Sequence, residues 1–170
     1  MQIREATGAD AEEIGKLLSF RLPRLRAMRR KLHVEIEVFR PDPKNGRYRK
    51  VTGADEARNI LAREGVKGFV AETEGAVVGF VAAEERELKG RKGPHFFFHA
   101  LAVKEGSNAG RALLEAVKRE GISRQFSHAY FHVDALDAKL HRYYRMRGAQ
   151  EIGAADTPKL RLFRLPTKRL

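Results

Sequence analysis

The sequence predicts an α/β fold, with a mixed, mostly antiparallel central sheet of six to seven strands and helices on both faces. Apolar runs with strand-like period alternate with amphipathic runs that carry N-cap and glycine signals. A hairpin signal in mid-chain favours antiparallel pairing, and two later strand–helix–strand connections favour a mixed sheet. With 170 residues and 42% hydrophobic composition, the chain can bury a core of its own.

The first third of the chain predicts one strand and three helical pieces. Residues 1–6 alternate as a strand, and residues 7–22 form an amphipathic helix with Thr7 or Asp10 as its N-cap. A second helical piece follows over 22–36. Two prolines and an Asn-Gly pair predict a loop over 39–53. Residues 54–65 read as a short helix.

The rest of the chain predicts a hairpin, four further strands and two helices. The hairpin strands Gly68–Glu72 and Ala76–Ala83 join at Glu74-Gly75. Further strands are expected at 95–103, 128–136, 149–154 and 159–166. The helices are expected at 108–121, with Gly121 as its stop, and at 137–148, between the N-cap Asp137 and Gly148. Without repeats or a clear boundary, residues 1–170 are expected to form one domain with an insertion at about 23–52.

Charge and composition narrow the function classes. The net charge is +12, and residues 21–50 contribute +8 of it. This indicates either a solvated basic face or an anionic partner. The absence of cysteine excludes disulfides, a cysteine nucleophile and thiolate metal sites. No apolar run is long enough for a membrane helix, and residues 1–10 lack a signal-peptide core, so we expect a cytoplasmic protein without membrane contact.

A glycine-containing turn in "LAVKEGSNAGRALLEAVKREG", residues 101–121, is the first candidate site. It joins a strand to a helix, and a helix N-terminus with small residues before it can bind phosphate through its backbone N–H groups. Arg111 adds a cation in the first helical turn. A plain strand–helix connection is the alternative, because short glycine motifs are weak by themselves.

Two segments together resemble the GNAT superfamily of N-acetyltransferases. "HALAVKEGSNAGRALLEAV" is similar to that family's strand–turn–helix motif, with Gly106, Asn108 and Gly110 at its small positions and a shortened turn. "HVDALDAKLHRYYRMRGAQEIG" is similar to its later strand and helix, with Asp137, Tyr144 and Gly148 in register. The similarity covers about residues 66–154.

The resemblance implies acetyl-coenzyme A as cofactor. Its pantetheine arm would pair with the backbone of Leu101, Ala102 and Val103. Its pyrophosphate would bind the turn, and Asp137 and Tyr144 would also meet the cofactor. The predicted phosphate-binding residues are Gly106, Ser107, Asn108, Ala109, Gly110 and Arg111.

Acid and base candidates come from the same two segments. Tyr144 matches the family's general acid; an amphipathic core tyrosine is the alternative. His99 is the first candidate base, since the resemblance puts it close to where family members carry an acidic base and an imidazole can take an amine proton. Period two puts it on one face with Phe97, Leu101 and Val103. A core histidine is the alternative. His132 is the second candidate and Asp134 the third. His128 and His141 are expected at the surface, and the scattered histidines do not predict a metal site.

Two functions follow. The first is acetyl transfer from acetyl-coenzyme A to a primary amine by direct attack. The acceptor is a small molecule or a protein segment, and the basic insertion favours an acidic one. The second is a non-catalytic module on the same fold that binds nucleic acid or an acidic partner. Both leave a monomer or a homodimer open.

Overall fold

A seven-stranded mixed sheet forms the centre of the molecule. A computed structural model describes residues 1–18, 38–41, 48–154 and 158–168. The strand order is β1-β4-β5-β6-β7-β9-β8, and every neighbouring pair is antiparallel except β6 and β7. These strands are β1 (Gln2–Glu5), β4 (Lys67–Thr73), β5 (Ala76–Glu87), β6 (Pro94–Val103), β7 (His128–Asp134), β8 (Gln150–Ala154) and β9 (Leu160–Pro166). The predicted fold class is confirmed.

Four α-helices of the described residues cover the two faces of this sheet. They are α1 (Ala11–Leu18), α2 (Gly53–Leu61), α3 (Ala109–Ser123) and α4 (Ala138–Arg145). One core contains Leu113, Val117 and Tyr144 from α3 and α4, packed against phenylalanines of the sheet. The other contains Ile14 and Ile60 from α1 and α2. Because each helix buries one apolar stripe, the two helix pairs occupy opposite faces.

The hairpin between β4 and β5 agrees with its sequence signal. Glu74 and Gly75 have φ values of 53° and 78°, the left-handed pair that tight hairpin turns require. The predicted loop over 39–53 is wrong in part, because β2 (Val38–Pro41) and β3 (Tyr48–Val51) pair as a separate antiparallel hairpin. The helical piece predicted over 22–36 lies outside the described residues, as does most of the insertion at 23–52.

Gly121 does not end α3, contrary to the prediction. The helix continues to Ser123, and Gly121 is buried within it. A Cβ atom at Gly121 would lie 2.7 Å from Thr167 Cγ2 and 3.0 Å from Phe96. Gly121 is therefore required by the close approach of α3 to the sheet, a contact that sequence alone does not reveal.

The start of α1 is preceded by a short 3₁₀ turn, Gly8–Asp10. The Asp10 carboxylate accepts hydrogen bonds from the Thr7 N–H at 2.8 Å and from the Thr7 hydroxyl at 3.1 Å. Both residues named as cap candidates therefore take part in one capping arrangement, as the sequence pattern predicts.

Candidate active site

The parallel strands β6 and β7 are paired at one end only. Phe96 faces Ala129 and Phe97 faces Tyr130, yet β6 continues to Val103 and β7 runs on to Asp134. Beyond these pairs the ladder between the two strands ends, and the facing edge of β6 has backbone donors and acceptors that β7 does not use. We call this opening, between residues 98–103 and 131–134, the β6–β7 wedge.

Aromatic side chains close the narrow end of the wedge on the α3–α4 face. The rings of Phe98 and Phe131 stack with centroids 4.4 Å apart, and Tyr144 of α4 lies 4.5 Å from the Phe131 ring. All three are buried. This packing fixes where the two strands begin to separate.

A β-bulge in β6 lies beside the wedge. Phe80 of β5 faces Ala102 and Ala82 faces His99, so one residue of β5 opposes two of β6. Ala100, within the bulge, has a φ of 56°, a left-handed conformation that costs a residue with a Cβ on the order of 1 kcal/mol. A strained alanine beside a strand edge that β7 does not pair is typical of a functional site.

The bulge also corrects one prediction. Leu101 packs with the α3–α4 core, whereas Ala100 and Ala102 pack with the α1–α2 core. His99 contacts Arg63, which follows α2. His99 and Leu101 therefore lie on opposite faces, because the extra residue reverses the alternation that period two assumes.

The glycine-containing turn leads from the end of β6 to the start of α3. Gly106 and Asn108 have φ values of 78° and 55°, so the chain turns through two left-handed residues. Ser107 closes the turn by donating its hydroxyl to the Lys104 carbonyl at 2.7 Å. The first N–H groups of α3 follow at Ala109, together with the positive end of the helix dipole.

Gly110 has a packing role in addition to its place in the motif. A Cβ atom at Gly110 would lie 2.6 Å from the hydroxyl of Tyr143. Tyr143 is also covered by Arg147, whose guanidinium lies 3.5 Å from the ring centroid. The small residue therefore lets α4 approach the N-terminal turn of α3, which brings the two motif segments together.

Tyr144 is a core residue as well as the predicted acid. Only 5% of its surface is exposed, and burial raises the pKa of its phenol well above the usual value of 10. The hydroxyl therefore keeps its proton throughout the neutral range. The core-tyrosine alternative describes its ring, and the role of its hydroxyl stays a prediction.

Asp137 caps α4. Its side chain accepts a hydrogen bond from the Leu140 N–H at 3.0 Å, which satisfies one of the unpaired donors of the first turn. The predicted N-cap is thus confirmed. Contact between Asp137 and a cofactor stays a prediction.

His99 belongs to a three-residue charged cluster on the α1–α2 face. Its Nε2 atom lies 3.3 Å from Glu84 Oε1 and 3.4 Å from Arg63 Nη2. Arg63 Nη2 in turn donates to Glu84 Oε2 at 2.5 Å. We call these three residues the His99 cluster. It lies where β6 leaves its last pair with β7, one residue before the bulge.

His132 and Asp134, the second and third candidate bases, have packing or turn contacts of their own. The His132 ring packs edge-on to Phe97, 5.0 Å between centroids, on the face that carries His99. Asp134 accepts a hydrogen bond from the Leu136 N–H at 2.9 Å and so shapes the turn after β7.

Two histidines expected at the surface are partly covered. The His141 side chain is only 13% exposed and its Nε2 bonds the Asp134 carbonyl at 2.9 Å. His128 is half-buried and bonds the Ser127 hydroxyl at 2.9 Å. Burial, together with nearby Arg164, lowers the pKa of His128.

Glu84 and Arg63 were not identified from the sequence. Glu84 continues the alternation of the apolar run in β5, two residues after Ala82, and so lies on the same face. That alternation was the available signal. The sequence did not show that Glu84 contacts His99, because that contact depends on the β5–β6 register, which includes the bulge. It did not show Arg63 either, because Arg63 lies outside regular structure after α2.

A shallow cleft of about 370 Å³ lies between α3 and the segment that follows α4. It contains three cationic side chains and one carboxylate, with apolar residues between them: Arg111, Leu114, Glu115, Lys118, Met146, Arg147 and Leu165. Arg111 belongs to the first turn of α3, directly after Gly110 of the glycine-containing turn.

The described residues contain neither a metal-binding cluster nor a membrane-crossing helix. No group of histidines, carboxylates or cysteines there is arranged to hold a metal ion. No helix among them combines the length and the apolar character that a membrane crossing requires.

Comparisons with known proteins converge on one family. A sequence profile described as the acetyltransferase (GNAT) family matches residues 31–149. No curated protein sequence matches this chain significantly. Many solved structures share its fold.

Three solved structures illustrate the similarity. A ribosomal-protein-alanine N-acetyltransferase from Brucella melitensis is 20% identical with a TM-score of 0.66, over 98% of this chain and 99% of that one. An aminoglycoside 6'-acetyltransferase type Ii is 16% identical with a TM-score of 0.67, over 100% of this chain and 99% of that one. The PaiA N-acetyltransferase from Thermoplasma acidophilum was solved in complex with coenzyme A. It is 11% identical with a TM-score of 0.66, over 97% of this chain and 98% of that one.

Proposed function

The chain belongs to the acetyltransferase (GNAT) family, and we propose that it moves an acetyl group from acetyl-coenzyme A to a primary amine by direct transfer. The observation that carries the proposal is the β6–β7 wedge, which opens beside a left-handed glycine turn and a helix N-terminus. An unpaired strand edge can bind an extended chain of amides, and a helix N-terminus can bind phosphate. Both features meet at the end of β6.

The residues present fit coenzyme A. Leu101, Ala102 and Val103 would offer backbone groups to the pantetheine amides along the wedge. The turn from Gly106 to Gly110 would hold the pyrophosphate, since its left-handed Gly106 and Asn108 aim the chain into α3. Arg111 and the basic cleft would add cations for the remaining phosphate. When bound, acetyl-coenzyme A supplies a thioester whose acetyl group can be transferred.

His99 is the proposed general base. An imidazole with an ordinary pKa near 6.5 can take a proton from an ammonium at neutral pH. His99 lies on the α1–α2 face, beside the bulge and opposite to Tyr144. An amine approaching from that face would lose its proton to the base before it attacks.

Tyr144 is the proposed acid on the other face. Its protonated phenol can donate a hydrogen bond to the departing sulfur and so stabilise the leaving group. The buried ring packs on Phe131, which anchors the hydroxyl against one strand of the wedge. The two proposed groups would thus approach the thioester from opposite faces of the sheet.

The proposed acceptor is an amine that also carries an anionic group. The chain has 34 basic and 22 acidic residues, and this excess attracts anions and repels polycations. An acidic small molecule or an acidic protein segment fits this charge better than a polyamine does. Nucleic acid is the competing partner for the same charge.

Thiol release from acetyl-coenzyme A tests the proposal. Because the chain has no cysteine, a thiol-reactive dye reports only coenzyme A, without background from the protein. A panel should pair each acidic amine with its neutral and its polycationic counterpart. We expect calorimetric binding of acetyl-coenzyme A, and amine-dependent thiol release that is fastest with the acidic amines.

The alternative is a non-catalytic binding module, and the same protein sample separates the two. No heat of binding with acetyl-coenzyme A up to millimolar concentration would contradict the enzyme. Steep salt-dependent retention of nucleic acid without cofactor binding would favour the module.

A further inference from the structure

The His99 cluster combines one cation, one carboxylate and one imidazole from three elements. Glu84 comes from β5, His99 from β6 and Arg63 from the segment after α2. The register places Ala82 opposite His99 and Glu84 opposite Phe97, so Glu84 and His99 are diagonal neighbours on one face of the sheet. The sheet itself therefore holds the carboxylate against the ring.

The two oxygens of Glu84 serve different partners. Oε2 accepts from Arg63 at 2.5 Å, and Oε1 lies 3.3 Å from His99 Nε2. The Glu84 side chain is 15% exposed and the His99 side chain 22%, whereas Arg63 is half exposed. The carboxylate and the ring therefore interact in a largely desolvated place, where a charge has a strong effect on its neighbour.

Glu84 and Arg63 act on the His99 ring in opposite directions. The Glu84 carboxylate stabilises the imidazolium form of the ring. The guanidinium disfavours that cation. On the same face, His132 of β7 lies across Phe97, and His95 and His128 lie further along the strands against Tyr130.

We propose that Glu84 is a positioning residue, which orients the His99 imidazole as the proton acceptor. Arg63 partly cancels the effect of the Glu84 charge on that ring. This rests on the proposed function. In the step, one N–H bond of the acceptor ammonium breaks, its electron pair stays on the amine nitrogen, and a new N–H bond forms at the unprotonated nitrogen of the His99 ring. Glu84 neither gives nor takes a proton in this step, and the imidazolium later returns its proton to solvent.

Nuclear magnetic resonance measures the ring directly, independent of activity. The chain has six histidines, and the His99 signal is the one missing from His99→Gln. We expect Glu84→Gln to lower the His99 pKa by about 0.5 to 1 unit, and Arg63→Gln to raise it by a similar amount. Glu85→Gln is the matched control, since Glu85 follows Glu84 in β5 and instead faces Arg124, at 3.5 Å.

Turnover is the second readout. We expect the acid limb of the kcat/KM profile to move with the His99 pKa in each variant, and the kcat plateau of Glu84→Gln to fall about 10-fold. In the double variant Arg63→Gln/Glu84→Gln, the pKa returns towards the wild-type value while turnover stays low, because the ring has lost its orienting partner. The double variant also removes the unpaired guanidinium that Glu84→Gln alone would leave at Arg63.

The possible results distinguish a failure of the Glu84 role from a failure of the proposed acetyl transfer. Opposite pKa shifts with matching profiles support it. An active wild type whose Glu84→Gln behaves like Glu85→Gln overturns the positioning role and leaves acetyl transfer intact. Shifted pKa values with an unmoved rate profile overturn His99 as the base. A wild type that transfers acetyl to no amine overturns the proposed function, and the role of Glu84 with it.

Discussion

Two charged clusters on the sheet have similar composition and different surroundings. In the first, Arg4 of β1 donates to both oxygens of Asp10, at 2.7 and 2.9 Å, and to Glu72 of β4 at 2.9 Å. In the second, the His99 cluster, Arg63 and His99 share Glu84. The first joins elements at the edge of the sheet, and the second lies beside the β6–β7 wedge.

The difference lies in what else the members do. Asp10 also caps the turn that precedes α1, through Thr7, so its charge has a local structural use. Glu84 caps no helix, and its partner is the imidazole of His99, the proposed general base. A charged cluster with a capping role predicts an effect on stability, whereas one that holds an imidazole beside a strained bulge predicts an effect on chemistry.

The largest effect should come from His99→Gln. Loss of a general base typically costs 10²- to 10⁴-fold in rate, and we expect kcat to fall about 100-fold while the melting temperature stays near that of wild type. His132→Gln is the control, because it removes a second imidazole on this face, the one that packs on Phe97. A larger loss in His132→Gln than in His99→Gln would reassign the base.

Tyr144→Phe should have the next largest effect. It removes only the hydroxyl from a ring that stays packed on Phe131, so we expect kcat to fall roughly 10-fold with little change in KM. The matched control is Tyr143→Phe, which removes the neighbouring hydroxyl near Gly110. Unchanged kcat in Tyr144→Phe would leave this tyrosine a core residue alone.

Gly106→Ala tests the turn against a glycine elsewhere with the same backbone. Gly106 and Gly65 have φ values of 78° and 76°, and neither has an atom within 4 Å of an added Cβ. Both substitutions should therefore cost about 1 kcal/mol of unfolding free energy. Only Gly106→Ala should weaken acetyl-coenzyme A binding, by roughly 5-fold in calorimetry. Equal affinity in the two variants would argue against phosphate binding at this turn.

Asp10→Asn should leave turnover per folded molecule unchanged and lower stability alone. The hydrogen bonds from Arg4 hold the pKa of Asp10 at about 2, below its ordinary 3.8. The carboxylate therefore stabilises the fold above about pH 4, and this contribution is lost as pH falls towards 2. Because Arg4 is partly exposed, we expect about 1–2 kcal/mol at pH 7. Urea unfolding at pH 7 and pH 2.5 measures it. An Asp10→Asn cost that does not shrink at pH 2.5 would contradict the ion-pair explanation.

The elements with local signals were predictable from the sequence. Glu74-Gly75 specified its hairpin, and Asp137 specified the start of α4, because turn and cap chemistry act within a few residues. The features that need distant contacts were not predictable. Gly121 is small because α3 lies against Phe96 and Thr167, and an isolated glycine near a helix end resembles a stop signal.

The candidate site divides in the same way. Gly106, Asn108 and Tyr144 could be named from motif register, but the position of His99 relative to Leu101 could not. That position depends on the bulge at Ala100, an alanine whose left-handed backbone has no signal in its own side chain. Glu84 and Arg63 reach His99 only through strand register and tertiary packing, which a periodicity argument does not include.

The most direct test of the account is a crystal structure with coenzyme A. We predict the pantetheine between residues 98–103 of β6 and 131–134 of β7, hydrogen-bonded along β6. Its pyrophosphate should lie at the first N–H groups of α3 and its sulfur within hydrogen-bonding reach of the Tyr144 hydroxyl. Coenzyme A bound elsewhere, with β6 and β7 closed on each other, would contradict the central claim.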